Sequence, residues 1–411
     1  MRILHVVPSY YPAVRYGGPI RSVHGLARAL VGRGHEVHVY TTNVDGPKDA
    51  DVPIGNAVDL DGVSVWYFPT GIGRRLYRSP AMGLALDQSI SDFDVVHTHS
   101  VFLWPTTAAA RAALKHRIPY ILAPRGMLVP ELIRRKSRFL KLSWLQTIER
   151  RNLEAAAAIH VTSNQEAEDL RRLGLRYKKC VIVPNGVEAP DPGPVGKGHQ
   201  RWWNERRARI LFLGRVNWKK GLDRLINAMS LLPEADLVIA GDDDDGYRAT
   251  LEALAGDLGV ADRVLFIGPL HGQEKWELLA SAQVLALPSY SENFGNVVLE
   301  AMAMSCPVVV TPEVGLADLL SESGAGEVVS GEPKCLAQAL HQLLENSSKA
   351  RRMGGLGSAI VQKRFAWPAI AEEMEKVYFE ITAPERARYI CREGATSQHA
   401  CRSRVLYREP Q

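Results

Sequence analysis

Short apolar runs alternate with helix-like segments along this chain, and the alternation starts twice. The first series has strand candidates at Ile3–Val7, Glu36–Tyr40, Val63–Phe68, Val95–His97, Tyr120–Ala123, Ala158–Thr162 and Val181–Val183. Ile20–Gly32 carries Val23, Leu26, Ala27 and Leu30 at helical spacing and stops at Gly32 and Gly34. Runs of this length separated by amphipathic helices specify a parallel sheet with helices on both faces. From Glu188 to about Gln200 the chain turns to proline and glycine, the composition of a linker. The series then restarts at Ile210–Gly214, Asp236–Ala240, Val264–Ile267, Val284–Leu287 and Pro307–Val310, with helices such as Leu222–Ser230, Lys275–Ser281 and Leu336–Glu345 between them.

The expected fold is therefore α/β: two Rossmann-like, doubly wound parallel-sheet lobes facing a cleft. Ligands in such sheets sit at the carboxyl ends of the strands. A length of 411 residues suits two domains. We place the first lobe at 1–190 and the second at 204–365. A C-terminal helix at 366–383 is expected to pack back on the first lobe. Residues 384–411 are rich in arginine, lack periodicity and are expected to be poorly ordered.

Bulk properties exclude several classes. With 46% hydrophobic and 23% charged residues, the chain is an ordinary globular protein. Five cysteines, odd in number and without a CxxC, give no disulfide framework and no zinc ribbon. The opening MRILHVVPSYYP ends its apolar run at Pro8, so it reads as a first buried strand rather than a signal peptide. A net charge of +5 suits a phosphate-bearing ligand or an anionic surface without demanding either. Nucleic acid is not an expected partner. The expected location is the cytoplasm, peripheral to the inner face of a membrane.

Four places carry candidate chemistry. In SENFGNVVLE, Glu292 and Glu300 flank the loop Asn293, Phe294, Gly295 and a helix starting near Asn296. The unpaired first amides of that helix suit a diphosphate. Glu300, one turn in, is placed to accept hydrogen bonds from a ribose diol, and Glu292 to reach sugar hydroxyls. Alone, two such glutamates read better as a helix cap and a solvated residue. Arg215 and Lys220 follow the strand ending at Gly214, with Lys219 the adjacent alternative, and two cations at that spacing can straddle a diphosphate. Gly17 and Gly18 leave bare backbone before the first helix, though the GxGxxG dinucleotide fingerprint is absent. His97 and His99 end the strand after Val95. No third ligand lies near them in sequence, so a metal is not assigned.

The stretch PSYSENFGNVVLEAMAMSCPVVVT resembles the E-x7-E motif of the retaining GT-B glycosyltransferases of family four. FLGRVNWKKG, YGGPIRSVHGLARAL, DVVHTH and VIVPNGV resemble further motifs of that family, in its order, across nearly 370 residues. The resemblance implies a GT-B fold and hexosyl transfer from a nucleotide-diphosphate sugar to an acceptor hydroxyl, with retention and without metal or other cofactor. It implies that Arg215 and Lys220 clamp the diphosphate, that the Gly18 amide meets donor phosphate and that Gly241 lies in the donor pocket. His99 would hydrogen-bond the transferred sugar, and Arg21 would lie near the acceptor. APRGML at 123–128 resembles a branch that builds surface polysaccharide, which puts Arg125 on the acceptor side and implies a glycan or lipid-linked acceptor. Asp242–Asp245 are taken as solvated rather than as a metal site. Residues 134–151, RRKSRFLKLSWLQTIERR, have the pattern of a basic amphipathic helix, which suits either an anionic membrane surface or packing on the lobe. The rival functions are a nucleotide-sugar epimerase of the same fold and a catalytically inactive nucleotide-sugar-binding protein.

Overall fold

The computed structural model describes residues 1–13, 17–135, 138–188, 202–204, 206–243 and 246–383. Among these, eight strands form the sheet of the first lobe. Their order is Cys180–Ile182, Ala158–Val161, Tyr120–Ala123, Val95–His99, Arg2–Val6, Glu36–Thr42, Val63–Phe68 and Ala57–Leu60. All pairs are parallel except the edge strand Ala57–Leu60, which runs antiparallel to Val63–Phe68. That edge strand was not foreseen; it is four residues long, with Ala57 and Asp59 exposed and only Val58 and Leu60 packed on the core.

Both faces of this sheet are covered, which is why its strands read as continuous apolar runs. Ile3, Val37, Val95 and Ile121 face the helix Gly18–Gly32. Leu4, Val96 and Leu122 face the opposite way, onto Met82, Leu86, Ala109 and Ala113 of the helices Pro80–Ser89 and Trp104–His116. Each such large aliphatic side chain contributes about 1.5–3 kcal/mol on burial.

The second lobe has six parallel strands in the order Val264–Gly268, Ala235–Ala240, Ala208–Leu213, Val284–Leu287, Val308–Val310 and Glu327–Val328. Its core is one cluster that includes Phe212, Ile226, Leu299 and Leu340. The chain crosses between lobes twice, and the crossings run side by side. Val187 N–H donates to Phe365 O at 2.8 Å. Trp367 sits against Gly25 and Gly186, where an added Cβ would lie 2.2 and 2.6 Å from its ring. The helix over residues 367–383 then adds Ile370, Ala371, Met374 and Tyr378 to the first lobe's core.

Among the described residues the chain is helical from Arg138 to Ala155, with a π turn inside. The described pieces are Pro130–Arg135, Arg138–Trp144, a π turn at Leu145–Glu149, and Arg150–Ala155. Glu149, the last residue of the π turn, is fully buried. Its carboxylate accepts from Phe102 N, Trp144 Nε1 and Asn152 Nδ2, so this acid turns inward rather than onto a solvated face. Among the described residues no helix is long and apolar enough to cross a membrane. Most of the linker and the tail at 384–411 lie outside the described residues.

Candidate active site

Each sheet reverses its strand order beside its first strand: at Arg2–Val6 and Val95–His99 in the first lobe, and at Ala208–Leu213 and Val284–Leu287 in the second. The two crevices face each other across a cavity of about 1040 Å³. Gly17, Gly18, Arg21, Arg125, Arg215, Lys220, Gly241, Glu292, Asn293, Phe294, Gly295, Asn296 and Glu300 all line it; His99 does not.

On the second lobe, the chain leaves strand Ala208–Leu213 through Gly214 and passes close under Gly241. A Cβ on Gly241 would lie 1.9 Å from Gly214 O, so two strand ends meet there through bare backbone. Arg215 is exposed on the cleft wall. Asn217 caps the short turn Trp218–Lys220 by accepting from Lys219 N at 3.1 Å, and Gly221 ends it at φ +66°. This turn aims Lys220 Nζ at the Glu292 carboxylate, with which it forms an ion pair. Glu292 is held in turn by its backbone, whose N–H donates to Glu313 O at 3.0 Å. An ammonium offers three donors, so Lys220 keeps hydrogen-bonding capacity for a second anion. Lys219 is less available: burial, then Arg215, pull its ammonium below the usual lysine range.

The helix Asn296–Ala303 starts after Gly295, which sits at φ +95°. Val298 N–H donates back to Gly295 O at 2.8 Å, while Asn296 and Val297, whose amides have no acceptor within the helix, line the cleft. Glu300 lies one turn further in, and Lys275 Nζ donates to its Oε1 at 2.9 Å. Phe294 turns into the second lobe's core, so only its backbone belongs to the site.

Two residues expected to contact only a donor tie the lobes together. Asn293 Nδ2 donates to Thr162 Oγ1 at 3.0 Å, and Ser163 Oγ donates to Asn293 O at 3.0 Å. Asn296 accepts from Asn185 Nδ2 at 2.9 Å and donates to Ser22 Oγ at 3.2 Å. Gly18 makes this approach possible, since a Cβ there would come within 2.8 Å of Asn296 Nδ2. Arg21 also reaches across, to His271 Nδ1 at 3.1 Å.

The histidines are arranged differently from the expectation. His97 and His99 are both buried, and Arg125 stands over His99 on the cleft side, donating from Nε and Nη2 to His99 Nδ1 at 3.3 and 3.2 Å. Arg125 Nη1 also donates to Asn185 Oδ1 at 3.0 Å. A third imidazole, absent from the local sequence, is supplied by His5, whose strand registers beside His97. The earlier ground for assigning no metal therefore fails, because three imidazoles do converge. Their hydrogen bonds assign the tautomers instead. With Nδ1 accepting from Arg125, His99 Nε2–H donates to His5 Nδ1 at 2.9 Å. His160 Nε2–H donates to Val183 O at 2.8 Å, so its Nδ1 accepts from His97 Nε2–H at 3.2 Å, and His97 Nδ1 accepts from Tyr378 OH at 2.8 Å. In this arrangement the Nδ1 lone pairs of the four rings accept hydrogen bonds from neighbours, and His5 Nε2 has no hydrogen-bond partner among the described residues. Burial and Arg125 keep the cluster neutral: His5 and His160 are pushed down to about 3, and His97 and His99 well below the usual range. Burial also brings Arg125 down to about 10, which leaves it charged at neutral pH.

Sequence reasoning missed His5, Asn185, Glu166 and Lys275. Histidines in three apolar strands of the first lobe, Arg2–Val6, Val95–His99 and Ala158–Val161, were the available signal for the cluster. For Glu166 there was none, because its role rests on distant donors. This buried acid accepts from Gly126 N at 2.6 Å, Thr162 N at 2.8 Å and Asn293 Nδ2 at 3.3 Å.

Residues 17–186 match the family model described as glycosyl transferase 4-like domain, and residues 199–357 match that of glycosyl transferases group 1. An uncharacterized glycosyltransferase of Methanocaldococcus jannaschii is 30% identical over 92% of this chain and 98% of its own. A D-inositol 3-phosphate glycosyltransferase of Xylanimonas cellulosilytica is 30% identical over 94% of this chain and 98% of its own. Among solved structures, Anabaena HepE in complex with UDP and glucose is similar at a TM-score of 0.72 and 20% identity, over 92% of this chain and 99% of that one. With two facing parallel sheets and matches spanning both, the chain belongs to the glycosyl transferases group 1 family and is a hexosyltransferase-type glycosyltransferase of the GT-B fold.

Proposed function

We propose that the cleft binds a nucleoside-diphosphate sugar and transfers its hexosyl group, with retention of configuration, to a hydroxyl of a glycan or lipid-linked acceptor of surface polysaccharide. The observation that carries this reading is the Lys220–Glu292 ion pair on the cleft wall, beside Arg215 and the open amides of the helix Asn296–Ala303. Arg215 and Lys220 stabilise the departing diphosphate as its bond to the sugar breaks. Glu292 faces the transferred sugar and Glu300 the ribose. In this reading the acceptor hydroxyl attacks from the side the diphosphate leaves, and a donor phosphate oxygen takes its proton. His99 acts through Arg125, which it holds at the cleft; Arg21 and Arg125 face the acceptor. Cationic side chains and backbone amides do the work of a metal.

The names of similar proteins support parts of this reading. HepE is described with UDP and glucose, and the Xylanimonas relative acts on an inositol phosphate. Exposed Phe139 and Leu140, 85% and 69% accessible, lie beside Lys141 and suit contact with an anionic membrane surface. The test is sugar transfer from labelled UDP-, GDP- and ADP-hexoses to a lipid-linked glycan extract, with product stereochemistry read by NMR. Transfer with retention is expected from one of them. Isomerised nucleotide sugar without transfer would favour an epimerase, and nucleotide binding without turnover would favour an inactive binding protein.

A further inference from the structure

Lys275 sits in the helix Gly272–Ser281 and is only 6% exposed, although it lines the cleft. Its Nζ donates to Glu300 Oε1 at 2.9 Å and lies 4.1 Å from the centre of the Trp276 ring. Nothing in its sequence context separates it from a solvated lysine. We infer that Lys275 is a positioning residue: it presents the Glu300 carboxylate in one orientation to the ribose diol of the donor, and thereby selects ribonucleoside diphosphates over their 2′-deoxy counterparts.

The chemistry follows from what each partner lacks alone. An ionised carboxylate offers about four acceptor positions, and Lys275 uses one of them on Oε1. Oε2 accepts no hydrogen bond among the described residues, which leaves it for a hydroxyl donor. Without the ammonium the carboxylate loses the donor that fixes its orientation toward the diol. Burial pulls the Lys275 ammonium below its usual range, and Glu300 offsets this. The other charge bearing on Lys275 is Arg21, from the first lobe's helix. Its guanidinium hydrogen-bonds His271, the residue preceding Lys275's helix. Arg21 repels Lys275, so Glu300 is the group that keeps the ammonium in place. The donor class follows: a nucleotide whose sugar has both hydroxyls uses the pinned carboxylate, and a 2′-deoxynucleotide leaves part of it unmatched.

This inference rests on the donor reading above, and the experiment separates the two. Dissociation constants of UDP, GDP and ADP and of their 2′-deoxy analogues are measured by calorimetry on the full chain, from about pH 6 to about pH 8.5. The variants are Lys275→Met, Lys275→Gln, Lys275→Arg and Glu300→Gln. Wild type is expected to prefer the ribonucleotide by on the order of 10-fold, uniformly across this range. Both neutral variants should lose most of that preference across the whole range. Lys275→Arg should keep it, and the 2′-deoxy affinities should fall less than those of the ribonucleotides. A purely structural ion pair would instead lower the melting temperature and shift both nucleotide sets together, which overturns the inference. It is also overturned, with the donor reading intact, if Glu300→Gln loses the preference while the neutral Lys275 variants keep it at every pH. If wild type and Glu300→Gln bind both sets equally, Glu300 does not face ribose and both readings fall. Should neither neutral variant fold, wild type taken toward about pH 10 decides: deprotonating Lys275 must erode the ribonucleotide preference, and an unchanged ratio overturns the assignment.

Discussion

Lys220 and Glu292 stand 72 residues apart in the chain and meet as an ion pair on the cleft wall, with side chains only 18% and 19% exposed. The pairing makes their mutants differ in kind. Lys220→Ala and Arg215→Ala should each lower kcat/KM by on the order of 10²-fold or more, the usual scale for a donor aimed at developing charge. Glu292→Ala should lower kcat yet leave the affinity for bare nucleoside diphosphate equal or tighter, because Lys220 is released toward the phosphates. Calorimetric binding and initial rates on folded variants check this. A Glu292→Ala variant that loses nucleotide affinity as Lys220→Ala does would mean that the two residues serve one role.

Chelation tests the metal-free reading. EDTA is expected to leave turnover essentially unchanged. Activity lost to EDTA and restored by Mg²⁺ or Mn²⁺ would redirect attention to Asp242 and Asp243 or to the imidazoles of His5, His97 and His99. As a control, Asp243 accepts from Arg248 N at 3.1 Å near the start of the helix Tyr247–Asp257. Asp243→Ala should therefore cost roughly 0.5–2 kcal/mol of stability, the scale of a lost helix cap, and little activity.

Acid should unfold this protein early. His5, His97, His99 and His160 are neutral when folded, with His5 and His160 depressed to about 3. In the unfolded chain each takes up a proton near pH 6.5. Below that pH the unfolded state binds more protons, so stability is fully present above about pH 6.5 and falls as pH drops toward the folded-state values. Each group contributes up to about 1.4 kcal/mol per pH unit. Melting temperatures taken downward from neutral pH should fall steeply below about pH 6. A profile that stays flat to about pH 4.5 would show that the cluster is solvated or already charged.

Binding to anionic vesicles should depend on Phe139, Leu140 and Lys141. Replacing the two apolar residues by serine should weaken binding at any salt. Lys141→Gln should weaken it by roughly 1 kcal/mol at low salt and much less at high salt. Co-sedimentation with phosphatidylglycerol vesicles measures this, and wild type that ignores such vesicles at low salt would remove the membrane from the proposal.

Much of the architecture was legible because it rests on local periodicity. Apolar runs such as Val95–His99 and Val284–Leu287 are buried on both faces, so their composition announces them. The turn Trp218–Lys220 and the helix start at Gly295 are also local, and with them the cationic and acidic residues that line the cleft. The exposed edge strand Ala57–Leu60 and the inward turn of Glu149 escaped because neither follows from hydrophobic spacing.

The sequence by itself determined two covered parallel sheets and the residue types at the carboxyl ends of their strands, since strand and helix periods are properties of neighbouring residues. Only the tertiary structure decided which of those side chains have partners. His99 meets Arg125, Lys275 meets Glu300, and Asn296 meets Ser22 across 274 positions of chain. These are directional hydrogen bonds and charge pairs between segments remote in sequence. No local spacing encodes their distance, burial or orientation, which packing of the two lobes supplies.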